Sequence, residues 1–397
     1  MHHPPTVLLD VSRLIWRSWR GQLPTGIDRA CMAYVMHYRD RASAVMQRGG
    51  FTRVVGEKDS SALFSVLLNR PQGLRKEVVK RLAGSFLPGG SYGPHRLRDA
   101  LYLNVGHTGL NLPGHGRWVE RTGVRAIYYV YDLIPITHPQ FAREGERERH
   151  IARMEAVLRH GTAVITISQD SLSTLTAFAE QRGLAMPPVL CAPLGVELPD
   201  LSGVDEISPL AEPYFVVLGT IEGRKNHMLL LDVWRRLAER EGEKPPKLVI
   251  IGQRGWAAED VFAALDGDAG LRPHIIELGR CDDAILRQYL AHARALLFPS
   301  FAEGQGLPLI EALSAGTPVI ASDLAVFRET GGTVPDYLEP YDIAGWVKAV
   351  ADYSASDSSR RVAQLLRLEG FSPPTWENHF GQVDRWLAEL PFIPVVR

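Results

Sequence analysis

Cysteine is scarce: the 397-residue chain holds three, Cys31, Cys191 and Cys281, far apart and with no Cys-x-x-Cys pair. That spacing speaks against a disulfide framework and a zinc knuckle, and a reducing cytosol is the expected compartment. No apolar run approaches the roughly 18 residues a membrane helix needs, and the N-terminus has no apolar signal core, so a cytoplasmic protein is expected. There is no Gly-x-Gly-x-x-Gly and no Walker lysine, which removes the usual fingerprints of dinucleotide and P-loop sites. Repeats and low-complexity tracts are also missing. What remains is 45% hydrophobic and 22% charged, the composition of a globular chain long enough for two cores.

Net charge is nearly absent too, at −1, but it is unevenly spread. Residues 1–200 carry 25 Lys and Arg against 17 Asp and Glu, and residues 201–397 carry 19 against 28. The segment Leu63–Leu82 mixes apolar residues with Arg70, Arg75, Lys76, Lys80 and Arg81. It reads either as a solvated helix face or as an amphipathic surface for an anionic membrane. Nucleic acid is not expected as a partner, because no aromatic-plus-basic recognition motif accompanies the charge.

Short apolar runs alternate with helical patterns along the whole chain. Val7–Val11, Leu101–Val105, Arg125–Tyr131 and Ala163–Ser168 read as buried strands, with helices from about Ile27 to Tyr38, at Glu144–His160 and at Gln169–Arg182. After a proline-bearing linker, Leu201–Pro213, strands are expected at Tyr214–Gly219, Lys247–Gly252, His274–Gly279, Ala295–Pro299 and Val319–Ser322. The helix His227–Glu241 would be capped by Asn226, and the one ending near Ala293 by Asp282. This alternation predicts an α/β class with parallel sheets, in domains at 1–205 and 206–374. A final helix, 375–397, places Trp376, Phe380, Val383 and Leu387 at helical spacing and is expected to cross back to the first domain.

The densest motif is Phe298–Glu329. Glu303 and Glu311 stand eight apart around Gly304, Gln305, Gly306, Leu307 and Pro308. The glycines permit close backbone approach, and Pro308 suits the first helical position. Free amides and the helix dipole there favour an anion such as a diphosphate. Glu303 can then accept from sugar hydroxyls, and Glu311, in the first turn, from two ribose hydroxyls. Taken singly, Glu311 could merely complement the dipole and Glu303 could be solvated. A second loop, Gly219–Asn226, sets Arg224 and Lys225 before a helix, either as an exposed basic turn or as cations that stabilise a departing nucleoside diphosphate.

Together these residues make Tyr214–Glu329 resemble the donor domain of family 4 glycosyltransferases, retaining enzymes of the GT-B fold, in which two Rossmann-like parallel-sheet domains face a cleft. The resemblance makes 206–374 the nucleotide-sugar donor domain and 1–205 the acceptor-side domain. It assigns Glu303 to the donor sugar, Lys225 to phosphate and Glu311 to ribose. Gly304, Gln305, Gly306 and Leu307 become donor contacts, the last two through backbone. Gly252 and Gly279–Cys281 fall where the family holds the nucleobase. Thr220 stands where the family usually has arginine, and Arg224 would supply that charge, as in a subgroup reading Gly-Thr-x-x-x-Arg-Lys-Asn. In the first half, Pro24–Arg29 resembles the loop facing donor phosphates and acceptor, which makes Gly26 a donor-side residue and Arg29 an acceptor or phosphate contact. Tyr131-Asp132-Leu133 resembles the family's His-Asp-Leu segment. Asp132 would orient an acceptor hydroxyl, with Tyr131 beside it. His107 and Ser168 also end strands there. Arg29 could equally be a solvated surface arginine, Asp132 a turn aspartate and His107 an isolated histidine.

The implied reaction moves a sugar from a nucleoside-diphosphate donor to a hydroxyl of a saccharide or lipid-linked saccharide acceptor, with retention, in polysaccharide assembly. The subgroup favours GDP-mannose. Lys225, Glu303, Arg224 and Asp132 form the catalytic set, and the leaving phosphate itself helps deprotonate the acceptor. No cofactor and no metal are expected, since the one Asp-x-Asp, Asp266-Gly267-Asp268, reads as a surface turn with no strand leading into it. Two other readings stand beside this one. The first is a nucleotide-sugar epimerase or phosphorylase on the same architecture. The second is a catalytically silent sugar-nucleotide-binding partner in a polysaccharide assembly complex.

Overall fold

Val7–Asp10 (β1) is buried along its whole length, as a central parallel strand must be. In the computed structural model, which describes residues 7–21, 25–69, 76–80, 97–197, 204–240 and 244–390, β1 lies inside a seven-stranded sheet. The other strands are Ala42–Arg48 (β2), Phe51–Val54 (β3), Leu101–Asn104 (β4), Arg125–Val130 (β5), Ala163–Thr166 (β6) and Val189–Cys191 (β7). Their order is β3-β2-β1-β4-β5-β6-β7, and only β3 runs antiparallel to its neighbour. The β2–β3 hairpin is a new element: Ala42–Arg48 reads Ala-Ser-Ala-Val-Met-Gln-Arg, and its apolar run of three residues is too short to announce a strand.

The second sheet takes Tyr214–Leu218 (β8), Lys247–Ile251 (β9), Ile275–Gly279 (β10), Leu296–Phe298 (β11), Val319–Ser322 (β12) and Asp336–Leu338 (β13) in the order β10-β9-β8-β11-β12-β13, all parallel. Side chains alternate along these strands between two cores. Phe215, Val217, Leu248 and Ile250 meet Trp234, Trp346 and Tyr353 on one face. Tyr214, Val216, Val249 and Ile251 meet Leu309, Leu313 and Phe327 on the other. The strand order reverses between β8 and β11, and ligands of such sheets bind beyond the carboxyl ends of the strands at that point.

The chain divides into two compact units, 1–133 with 147–194 and 376–397, and 134–146 with 195–375. Residues 134–146 and 195–205, drawn in the first domain from sequence, are grouped here with the second. The final helix, Trp376–Glu389, belongs to the first unit and packs on the helix Gly26–Tyr38. The Phe380 ring centroid lies 4.9 Å from that of Tyr34 and stacks at 3.9 Å on His37. Asp384 accepts from the Tyr38 hydroxyl at 2.5 Å, His37 Nε2 at 2.8 Å and Arg41 Nη2 at 2.7 Å. These bonds outweigh the burial that would raise its carboxyl, and the group sits below the ordinary carboxylate value. Within the basic stretch, the helix Glu57–Asn69 and a short helical piece at 76–80 are described. Arg70, Arg75 and Arg81 lie outside the described residues, as do Pro24 and positions 201–203 of the linker.

Because Phe380 is the aromatic centre of that contact, Phe380→Ala should cost about 3 kcal/mol or more in urea unfolding monitored by circular dichroism. A loss below about 1 kcal/mol would show that the last helix adds little to the first unit.

Candidate functional site

The site in the second unit begins with backbone contact between two loops. Gly219, after β8, has φ of 128° and donates its amide to Ile251 O at 2.9 Å. A Cβ on Gly252, after β9, would lie 1.8 Å from Gly219 O, so no side chain is tolerated there without moving the loop. Thr220 is pressed in the same way, since a Cβ on Gly255 would lie 2.6 Å from its methyl group. A 3-10 turn, Gly223–Lys225, follows and ends on Asn226 in the left-handed conformation at φ of 55°. The side-chain cap expected of Asn226 from sequence is therefore not formed. Asn226 Nδ2 donates instead to Pro299 O at 3.2 Å and Pro340 O at 2.8 Å. With Phe301 N donating to Arg224 O at 2.8 Å, these bonds stitch the β8 loop to the loops after β11 and β13.

That stitching brings three predicted residues together. Lys225 Nζ lies 2.5 Å from Glu303 Oε1, and Arg224 Nη1 lies 2.8 Å from the same oxygen. Ser300 Oγ donates to it at 2.9 Å, and Arg224 Nη1 also donates to Ala302 O at 2.9 Å. The Lys225 ammonium sits 4.6 Å over the Phe298 ring. Lys225 and Glu303 are 6% and 9% exposed, so neither charge is screened by bulk water. Burial would raise the Glu303 carboxyl, but Arg224 and Lys225 overcome it and hold it down at about 2. Burial pulls the Lys225 ammonium down, with Glu303 opposing.

A fourth member went unread in the sequence. Glu222 Oε1 pairs with Arg224 Nε at 2.7 Å, and its buried Oε2 has no hydrogen-bond partner. Burial raises its carboxyl against the pull of Arg224 and Lys225. Its only signal was its place two residues before Arg224.

In the glycine loop, Gly306 has φ of 82°, and a Cβ there would lie 2.8 Å from the Phe327 ring. The helix that follows, Leu307–Ser314, starts on Leu307, so Pro308 is its second residue rather than its first. Leu309 N and Ile310 N both donate to Gly306 O. No hydrogen bond takes up the Gly306 or Leu307 amide among the described residues. Glu311 is the fifth helical residue, past the first turn where sequence placed it, and is half-buried. Gln305 is buried and Gly304 half-buried. Cys281 packs against the apolar core beside β11, and burial with Asp282 and Asp283 raises its thiol. Asp282 Oδ1 accepts from Ile285 N at 2.9 Å, the expected cap.

Asp266 lies in the last turn of the helix Glu259–Gly267, not in a free turn, and pairs with Arg254. Asp268 pairs with Arg235. Among the described residues, no group of three or more His, Cys, Asp or Glu side chains could hold a metal.

The other predicted residues lie in the first unit, at the carboxyl ends of its strands. His107, with φ of 58°, places Nε2 2.5 Å from Tyr129 O. Burial, with His150, Arg153 and Arg13 adding to it, lowers its pKa to about 3, so the ring is neutral. Tyr131 is buried and its hydroxyl donates to Val105 O at 3.0 Å. Its ring lies 5.3 Å from that of His107. Asp132 is half-buried, and its backbone oxygen meets His150 Nε2 at 3.1 Å. Ser168 caps the helix Gln169–Arg182 by accepting from Ser171 N at 3.1 Å. Gly26 opens its helix and Arg29 is exposed on it. Sequence missed Arg13 and Arg17, whose Nε atoms each lie 2.7 Å from the buried Asp28 in that loop. Both come from the helix Ser12–Trp19, so fifteen and eleven residues separate them from Asp28 and no local pattern joins them.

The low Glu303 value has a stability consequence. The ordinary value is 4.5 and the folded value about 2, so the contribution is complete above pH ~4.5 and lost as pH falls toward ~2. Wild type should lose up to about 3 kcal/mol more than Glu303→Gln across that window in urea titrations. Equal acid sensitivity of the two proteins would mean that Glu303 is not a paired carboxylate.

Residues 205–372 match the family described as glycosyl transferases group 1. The serotype-specific mannosyltransferase WbdA of Escherichia coli is 32% identical over 254 residues, covering 60% of this chain and 31% of that protein. The O-antigen chain mannosyltransferase RfbU of Salmonella typhimurium is 36% identical over 184 residues, 45% of this chain and 48% of that protein. The chain thus spans about a third to a half of the relatives it matches. Anabaena Alr3699/HepE, solved in complex with UDP and glucose, superposes with a TM-score of 0.65 at 15% identity, covering 97% of this chain and 100% of that one. Sucrose-phosphate synthase from Thermosynechococcus elongatus gives 0.60 at 14% identity, covering 98% and 100%. At these identities the structural likeness establishes the fold alone. Residues 205–372 thus match the glycosyl transferases group 1 family, within a chain that has the two-domain GT-B fold.

Proposed function

We propose that the chain is a glycosyltransferase that moves a hexose, specifically mannose from GDP-mannose, to a hydroxyl of a saccharide or lipid-linked saccharide, with retention of configuration. The observation that carries this is Glu303 held by Lys225 and Arg224 at the switch point of the second sheet. A bound diphosphate replaces one anion by another at the two cations, and the buried carboxylate it displaces then needs hydrogen-bond donors in their place. Glu303, released from them, accepts hydroxyl hydrogen bonds from the sugar. The Gly306 and Leu307 amides take the phosphate or the sugar, and Glu311 the ribose.

Charge develops on the leaving diphosphate during transfer, and Lys225 and Arg224 are already placed to meet it. The work resting on this chain's residues is thus positioning and charge stabilisation, with no cofactor. Asp132 orients the acceptor hydroxyl, with Arg29 and neutral His107 as further acceptor-side groups. WbdA and RfbU, both named as mannosyltransferases, support the choice of sugar. No described helix is long and apolar enough to cross a membrane. A cytoplasmic enzyme at the inner membrane face is part of this proposal.

Lys225→Ala should lower kcat for GDP release from GDP-mannose by about 100- to 1000-fold. A wild-type rate in that variant would sink the assignment. In a thermal-shift screen against GDP, UDP, ADP and dTDP, GDP should raise the melting temperature most, because a ligand that binds only the folded state stabilises it by mass action. A larger shift with another base would transfer the donor assignment to that base.

A further inference from the structure

The helix Ser12–Trp19 presents two faces of different chemistry. At 3.6 residues per turn, Arg13 and Arg17 fall together, and both reach Asp28 beside the acceptor-side loop. Ile15, Trp16 and Trp19 fall on a separate face, where they wall a cavity of about 670 Å³ together with Met46, Phe51 and Val79. That volume is within the usual range for small-molecule sites, about 300–1,000 Å³.

The cavity lies at the carboxyl end of β2, where Arg48 pairs in register with Phe51 of the antiparallel β3. In a parallel sheet this is the same end that carries His107 and Asp132. Its wall is anchored, since Trp16 Nε1 donates to Gln47 O at 2.8 Å, and Gln47 Nε2 donates to Asp10 Oδ2 at 2.7 Å at the end of β1.

Two features of the lining select the occupant. Phe51 is 83% exposed and Val79 50%, so the mouth leaves large apolar groups in water. At the same mouth the exposed Arg48 lies 5.0 Å over the Trp16 ring, and no carboxylate among the described residues pairs with it. A sugar or nucleotide could stack on the aromatic rings but would leave the aliphatic Ile15, Met46 and Val79 without an apolar partner, and a neutral hydrocarbon would leave the cation unused. An amphiphile with an anionic head uses both.

We propose that this cavity holds the hydrocarbon chain of a lipid-linked acceptor, with the lipid phosphate at Arg48 and the saccharide toward the Arg13–Arg17 side of the same helix. This rests on the glycosyltransferase reading and selects the lipid-linked acceptor from its two alternatives.

The test uses the full chain with farnesyl phosphate, farnesol and inorganic phosphate, read by calorimetry and tryptophan fluorescence. Farnesyl phosphate should bind saturably, farnesol about tenfold more weakly, and inorganic phosphate not measurably. Phe51→Glu and Arg48→Glu change exposed side chains, and each should weaken farnesyl phosphate about tenfold while GDP affinity stays that of wild type. No saturable binding would overturn the proposal, and so would binding untouched by both variants. Phe51-dependent binding to anionic phospholipid vesicles without binding of farnesyl phosphate would overturn it in favour of a membrane contact. Farnesyl phosphate binding with the expected variant effects but no nucleotide binding would uphold the cavity while removing the glycosyltransferase reading.

Discussion

The second unit is organised around one carboxylate oxygen. Glu303 Oε1 receives Lys225, Arg224 and Ser300, within a site that excludes most water. A buried Lys225 beside the half-buried Arg224 would be costly to desolvate with no anion, and the carboxylate offsets that cost. The site is consequently preformed: its cations are aimed and neutralised before any ligand arrives. In the proposed reaction an incoming diphosphate competes with Glu303 for partners already in place, which avoids reorganisation at the moment charge develops. Glu222 adds a further control, because its pairing with Arg224 Nε fixes the guanidinium plane while its other oxygen stays buried and unpartnered.

Backbone geometry makes that cluster reachable. Lys225 and Glu303 are 78 residues apart, and they meet because β8 and β11 are adjacent strands where the sheet order reverses. The two loops would drift apart without the Asn226 side chain, which bonds to backbone oxygens of residues 299 and 340, and without the Phe301 amide on Arg224. A left-handed asparagine between a 3-10 turn and a helix is costly for most residues. Here it lets the chain turn so that Lys225 points back toward β11 while His227 begins the helix.

The charged cluster of the second unit was legible in the sequence because its residues are locally marked. Glu303, the glycine loop and Arg224-Lys225 each sit within a few residues of a strand end, and the apolar runs that mark those strands are short and unbroken. Glu311 was placed one residue too early because a helix start cannot be read within a residue or two when glycine and proline stand this close. The β2–β3 hairpin and the cavity beside it were invisible, since Ala42–Arg48 is buried by its neighbours rather than by its own hydrophobicity. Arg13, Arg17 and Asp28 could not be joined from sequence either, because their pairing depends on how two helices approach. The function of Glu222 was hidden for a different reason: nothing in its type distinguishes a buried loop carboxylate from an exposed one.

The first unit shows why its role is harder to read. Its strand ends rest on a buried polar network rather than on a charge pair. Asp10 accepts from Gln47 and Tyr102, Gln47 meets His115 at 3.0 Å, and His115 meets the Tyr128 hydroxyl at 2.8 Å. Burial raises the Asp10 carboxyl in spite of those bonds and lowers His115 to about 4, so the imidazole is neutral at physiological pH. A network of this kind specifies shape: every member has a single orientation that satisfies its neighbours, and a change at one is transmitted to the others. Gln47 links the network to Trp16 through its backbone oxygen, and Asp10 links it to the start of the Arg13 helix through Ser12 N at 3.0 Å. The helix that separates an apolar cavity from an arginine-lined loop is thus held at its base by buried, well-oriented hydrogen bonds. Where the second unit commits charge to one loop cluster, the first commits rigidity to the placement of one helix, with the arginine pair on one side and the cavity on the other.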